Sequence, residues 1–401
     1  MPTFPTSDQA VFPGRMTLPA VPEALQSWQQ VHGLLLARSY PAPTLAELSS
    51  LGSYYYWVYK LAQHPPALLT AQGLQARLLL RLQQETRPPW SAELLDYACA
   101  AAALSQYLAA AGVAMPQHGP FFATLDHALA QQAQRWSEEP ATVSRAYFFQ
   151  VVHYFSFSLR RSAAVATKGL QYLLGAPTLA SPALRGLYAP SQALELGLDK
   201  GVAAGLLRLI NLAQSGIQHQ SVRAYVRTEV AQLLALKQDL DFTGQRYALF
   251  PYQVLGGTQE PAFSAELSWR RGDTGLALLL YKASQLFEDA ELWKLAELVG
   301  LNTLLRTTPE TTHIASSPFR QGAAGVAQVY QRLYLASKQL PKYYQGHLFW
   351  LQETQRWLHT ELPAAYYQQR ASTLREGLPG VGLVLLSAAT GTSYAWEDSL
   401  L

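Results

Sequence analysis

Three basic positions each stand just before a glycine turn: Lys200 before Gly201, Arg270 with Arg271 before Gly272, and Arg320 with Gln321 before Gly322. Cations set against the first turn of a helix, where free backbone N–H groups add partial positive charge, form the arrangement of an anion pocket. The competing reading is that these cations pair with carboxylates supplied by the same turns, Asp273 or Glu376. Lys200 admits a further role, because a lysine desolvated enough to shed its proton can serve as a base. Other chemistries have less support. The nine histidines show no HxxxH or HxxE spacing, which is what sets two metal ligands on one helical face. One cysteine, Cys99, excludes an internal disulfide and a multi-thiolate metal centre, and it reads as a small core residue. Glycoside hydrolysis needs two carboxylates facing one cavity, and the turns offer only Asp199, Asp273 and Glu376.

The elements that must position these residues are helices. Ala, Leu and Gln dominate the chain, and alternating β-branched runs are almost absent. A glycine-rich turn leads repeatedly into an apolar helix. Gly272-Asp273-Thr274-Gly275 precedes Leu276, Leu279, Leu280, Ala283, Leu286 and Phe287, a stripe at helical spacing. Gly322 to Gly325 precedes Val326, Val329, Tyr330 and Leu333. Gly377 to Gly380 precedes Val381, Val384 and Leu385, and Gly201 to Gly205 precedes Leu206, Leu209 and Ile210. The N-terminal copies are worn: alanines stand in place of glycines around Ala98 to Leu108, aromatics around Tyr147 to Leu159, and Gly52 before Tyr54 reads as one more turn. About seven units, several of them roughly 50 residues apart, indicate repeated helical hairpins.

The second helix of a unit reads as a surface helix. Between Asp289 and Leu305, Glu291, Lys294 and Glu297 stand opposite Leu292, Leu295, Leu298 and Val299. An apolar inner helix with an amphipathic outer partner, repeated in this way, closes naturally into a double ring. Residues 241–268 break the period with Pro251, Gly256, Gly257 and Pro261 and read as an irregular insertion within one domain spanning 1–401. Tyr54-Tyr55-Tyr56-Trp57 and Tyr343-Tyr344 could line a peptide cleft, but aromatics at helical spacing favour packing. The pair Arg160-Arg161 reads as solvated, as does Arg271 beside Arg270.

Composition bounds the rest. Of 401 residues, 49% are hydrophobic and 14% charged, which supplies a large core with few solvated faces. A net charge of +3, scattered along the chain, argues against nucleic-acid binding. No apolar run reaches the roughly 18–20 residues of a membrane span, and Met1 to Met16 lacks the basic and apolar regions of a signal peptide. A cytoplasmic location is the expectation.

Four of these segments together resemble the lanthionine synthetase C-like family, the lanthipeptide cyclases. Trp269-Arg270-Arg271-Gly272-Asp273-Thr274-Gly275 is similar to its Trp-Cys-x-Gly-x-x-Gly motif, and Phe319-Arg320-Gln321-Gly322-Ala323-Ala324-Gly325 to its Cys-His-Gly-x-x-Gly motif. Gly377 to Leu386 with Trp396-Glu397-Asp398-Ser399-Leu400-Leu401 resembles the family's terminal helix and ending. Gly197 to Gly205 resembles its Gly-Leu-x-His-Gly copy. The resemblance covers Gly197 to the C-terminus; the N-terminal half matches by rhythm alone.

The resemblance implies an all-α fold, an α/α toroid of about seven inner and seven outer helices with the glycine turns gathered at one end. It also implies a zinc-assisted addition of a peptide cysteine to a dehydrated residue, with the metal held by two cysteines and a histidine. Here those three positions hold Arg270, Arg320 and Gln321. A guanidinium has no lone pair to give and repels a cation, so no zinc or other cofactor is expected. The family's histidine falls on Lys200, and an acidic position on Phe148. The implied role is that of a non-catalytic member of the pathway that binds a precursor peptide or its dehydratase, with Lys200, Trp269, Arg270, Asp273, Arg320 and Gln321 as binding residues and an anion in the central cavity. The alternative is a metal-independent thioether cyclase with Lys200 as base, in which orienting the peptide supplies much of the rate.

Overall fold

The computed structural model describes residues 16–85, 91–113, 119–140, 144–159, 162–181, 184, 193–241, 243, 246–256, 258, 260–394 and 396–400. Arg160-Arg161 and Gly257 lie outside the described residues. In chain order the elements are β1 (Met16–Thr17), α1 (Glu23–Ala37), α2 (Leu45–Ala62), α3 (Pro65–Glu85), α4 (Ala92–Ala110), α5 (Gly119–Glu138), α6 (Arg145–Ser158), α7 (Ala163–Leu174) and α8 (Ala176–Leu179). There follow β2 (Leu194–Glu195), α9 (Val202–Gln214), α10 (His219–Ala235), β3 (Gln253–Val254), β4 (Pro261–Ala262), α11 (Asp273–Phe287), α12 (Ala290–Thr303) and α13 (Pro309–Thr312). The chain ends with α14 (Ala323–Ala336), α15 (Pro341–Glu361), α16 (Leu378–Thr390), β5 (Thr392–Ser393) and a 3-10 turn at Trp396–Leu400. None of the described helices is long and apolar enough to cross a membrane.

These residues group into two compact units. The first draws on Met1–Ala130, His153–Thr167 and Ala365–Leu400, the second on Gln131–Val152 and Lys168–Ala364. In the first, α2 packs on α3, α4 and α16, and α1 packs on α16. The start of α2 is fixed by a capping box: Glu47 N–H donates to Thr44 Oγ1 (3.2 Å) and Thr44 N–H to the Glu47 carboxylate (3.0 Å). Tyr54, Tyr56 and Trp57 are buried core residues rather than the wall of a cleft. Gly52 lies inside α2, where a side chain would strike Leu104 at 2.7 Å, so it marks a close helix contact and not a turn.

In the second unit, α9/α10, α11/α12 and α14/α15 form packed helical pairs, and α11 also contacts α9 and α14. Burial separates the two members of a pair. Thirteen of the fifteen residues of α11 are buried, against six of the fourteen of α12. The buried stripe of α12 runs Leu292, Ala296, Val299 and Thr303, and Leu298 is 59% exposed. The i, i+3 spacing places Leu298 inward with Leu292, but each such step falls about 60° short of a full turn, which carries Leu298 toward the solvent face.

The 241–268 segment is less irregular than its composition suggests. β3 within it pairs antiparallel with both β2 and β4, and Asp241 bridges Arg246. Ladders two residues long show no period-2 pattern, so they escape a periodicity search.

Candidate functional site

The glycine turns before α9, α11 and α14 meet in the second unit. Arg270 N–H donates to the Arg320 carbonyl at 3.0 Å, joining the two arginine turns through their backbones. Gly197 lies so close to the Arg270 carbonyl that a Cβ there would overlap it. Gly272 has φ +107°, a conformation that L side chains rarely adopt, and a Cβ there would meet the Glu266 carbonyl at 2.6 Å. These glycines are what allow the turns to nest.

The helix starts are occupied by turn carbonyls. Ala203 N–H at the start of α9 donates to Leu196 O (3.2 Å). In α14, Ala323 and Ala324 donate to Ser316 O (2.9 Å) and Ser317 O (3.3 Å). Those three N–H groups are therefore not available to an anion.

The basic side chains also have partners. Glu195, fixed opposite Gln253 by the β2–β3 pairing, receives Arg271 in a fork: Nε at 3.0 Å from Oε2 and Nη2 at 2.6 Å from Oε1. Arg270 Nη2 reaches the same Oε1 at 3.3 Å. Arg271 lies 4.3 Å over the Tyr252 ring and 3.6 Å from Glu266, so it is a clasp residue rather than a solvated charge. Hydrogen bonding to Glu195 pushes its guanidinium above the ordinary value, against the opposing effect of burial. Arg320 Nε donates to Asp199 Oδ2 at 2.5 Å. Gln321 Nε2 stands 3.5 Å from Glu266 Oε1, which also accepts from Ser268 Oγ at 2.7 Å.

Arg270, Arg271 and Arg320 thus share one neighbourhood with Glu195, Asp199 and Glu266, three positive against three negative charges. The acids that pair with the arginines differ from those expected. Asp273 is fully buried at the first position of α11, accepting from Leu249 N–H (2.8 Å) and Phe250 N–H (3.2 Å), with Arg306 at 3.5 Å. Burial raises its carboxyl pKa, and Arg306 and the two N–H groups oppose that rise. Glu376 stands 3.5 Å from Arg370, in the first unit. Asp273 meets Arg306, which is distant in sequence but near in the fold, and Glu376 meets Arg370, which is close in both.

Trp269 is buried with its ring 4.8 Å from that of Phe319, beneath the close approach at Gly325. It shapes the turns from below and presents no surface. Lys200 is exposed and sits in the left-handed region at φ +64°. The desolvation that a lysine base depends on is absent there. Phe148 is buried against Phe149 (5.4 Å), and Phe149 in turn fills the space above Gly205. Cys99 is buried. Sequence reasoning missed Glu195, Glu266 and the Arg271 fork. Their only signal was acidic residues close before the glycine turns.

Zinc, which the family resemblance implies, can be tested against this donor set. Two guanidiniums offer no lone pair, Gln321 offers one weak amide oxygen, and the neighbouring carboxylates already face arginines. The residues present do not fit the metal. Among the described residues, no group of three or more His, Cys, Asp or Glu side chains could hold one.

The paired helices, with buried inner and amphipathic outer members, make this an all-α fold of the α/α-toroid class. Among solved structures, nisin cyclase is similar with a TM-score of 0.66, at 12% sequence identity over 94% of this chain and 96% of that one. No protein-family model matches the sequence, and no curated protein matches it. At that identity the likeness establishes the fold.

Proposed function

We propose that this chain is a lanthionine cyclase-like protein that works in ribosomal peptide modification without zinc chemistry, binding a precursor peptide or the dehydratase that acts on it, in the cytoplasm. The observation that carries the reading is the composition of the turn cluster. Where the family resemblance implies a metal site, Arg270 and Arg320 are joined through their backbones and held by Glu195 and Asp199. The nisin cyclase fold supports the peptide-modification context. Ion pairs take over the cross-linking that a metal would provide between turns, and the part-exposed guanidiniums of Arg270 and Arg320 suit an acidic group on the bound partner.

The test uses a dehydrated, cysteine-bearing peptide. The full chain should bind it in fluorescence anisotropy and leave the rate of thioether formation at the uncatalysed value. Binding should weaken for Arg270→Ala and Arg320→Ala. A cyclisation rate above background, or peptide affinity unchanged in both variants, would overturn the reading.

A further inference from the structure

The first unit contains a pocket of about 500 Å³ lined by residues of α1, the C-terminal end of α2 and α16. It is built differently from the turn cluster. Leucines form much of its wall, and no Asp, Glu, Lys or Arg lines it. Its chemistry comes from two imidazoles. His32, on α1, and His64, just beyond α2, face each other edge to face with ring centres 6.3 Å apart. Gln63 and Thr390 add neutral oxygens to the same wall.

Three observations show how the pair is held. Trp28 stacks on His32 at 5.0 Å with the rings 15° apart, which fixes the plane of the imidazole. His32 Nδ1 lies 3.0 Å from Tyr54 Oη, and Tyr54 is fully buried. In the tautomer that donates Nδ1–H to Tyr54, Nε2 carries the free lone pair, which is the outer-sphere arrangement of metal-binding histidines. Gln63 closes α2 in the left-handed conformation, at φ +51°. That conformation is unfavourable for a residue with a side chain, and it directs the chain so that His64 lines the pocket.

We propose that this pocket binds a borderline divalent transition-metal ion, Cu²⁺ most tightly, bridging the imidazoles of His32 and His64. Nitrogen-to-metal distances of about 2.0–2.1 Å place two bridged ring centres within about 6.4 Å of each other. The observed 6.3 Å falls within that span, and because the rings stand edge to face at 85°, the His64 ring must turn for its nitrogen to meet the ion. His64 is exposed, so its ring can swing inward toward a tetragonal angle without disturbing the core. Neutral nitrogen donors with amide, hydroxyl and water oxygens are the set that Cu²⁺ prefers in the order of divalent affinities. The absence of charge in the wall leaves no cation to repel the ion and no carboxylate to favour Mg²⁺ or Ca²⁺. The bound ion would tie α1 to the α2–α3 connection.

The experiment is a Cu²⁺ titration of the full chain, purified without a polyhistidine tag, followed by calorimetry and by the visible absorption of copper–imidazole. One Cu²⁺ per chain is expected. His32→Ala and His64→Ala should each weaken binding by at least about tenfold, since losing a ligand costs no less than losing an outer-sphere partner. His313→Ala, in the second unit, should leave it unchanged. His64→Ala removes an exposed side chain, so it remains informative if His32→Ala fails to fold. Unchanged Cu²⁺ affinity in either pocket variant, or no saturable binding in the parent, would overturn the proposal.

Discussion

Two sets of ion pairs flank the start of α11, and they differ in what surrounds them. Asp273 and Arg306 are buried, with side chains 0% and 3% exposed. Glu195, Arg270 and Arg271 are 20–30% exposed and share partners. A buried pair with its carboxylate fixed by two backbone N–H groups belongs to the core: neither partner can leave without stranding the other. The half-exposed set can exchange partners, because water replaces a lost contact at little cost. Two neighbouring arrangements of the same residue types therefore have different uses. Asp273 and Arg306 hold the helix in place, and on the proposed function the arginine turns are where a partner's charge would be met.

The largest effect should come from breaking the buried pair. Arg306→Ala leaves Asp273 charged and enclosed, and should cost about 3–5 kcal/mol in denaturant unfolding. The companion variant Asp273→Asn keeps an acceptor for Leu249 and Phe250 and should cost clearly less. Equal small losses in both would erase the distinction drawn between the two sets.

Next in size is a buried group held neutral. His347 is enclosed with Nδ1 2.9 Å from the Ala327 carbonyl, and burial pulls its pKa from 6.5 down to about 4. The unfolded chain takes up the proton more readily. This contribution to stability is complete above pH 6.5 and is lost as pH falls toward 4. The loss amounts to about 3 kcal/mol in all. His347→Leu should flatten that part of the stability–pH curve. A wild-type curve with no slope in that window would show that the imidazole is not held neutral.

Between the two extremes lies Arg320. Its partner Asp199 has a side chain only 2% exposed, whereas Arg320 is 32% exposed. Arg320→Ala should therefore cost about 2 kcal/mol, the cost of a poorly compensated carboxylate. Glu195→Gln comes last. It weakens an exposed fork by about 0.5–1 kcal/mol, and high salt should abolish the difference from wild type. A salt-independent loss would place Glu195 with the buried class.

What the sequence made legible follows from the range of each signal. Glycine turns leading into apolar stripes are local, so the inner helices α9, α11, α14 and α16 could be read directly. The nesting of the turns was legible through resemblance, because Arg270 and Arg320 fall at matching places in two copies of one motif. Their partners were not legible. Glu195 reaches the arginines only because β2 pairs with β3, a ladder of two residues formed across about 60 positions of chain. Asp273 looked available beside Gly272, and only the folded position of Leu249 and Phe250 shows that it is consumed. His32 and His64 lie 32 residues apart, on separate elements, and no spacing rule could have joined them.

The account rests on turns that are held by charge pairs where the family resemblance implies a metal. Elemental analysis tests this most directly, using the full chain in a His32→Ala/His64→Ala background, purified without chelator and then dialysed, so that the pocket in the first unit cannot contribute. The expected result is well under one zinc per chain. In the same background, Arg270→Cys/Arg320→Cys/Gln321→His should gain zinc, because the turns already lie within backbone hydrogen-bond distance. Stoichiometric zinc that survives dialysis with Arg270, Arg320 and Gln321 in place would contradict the account.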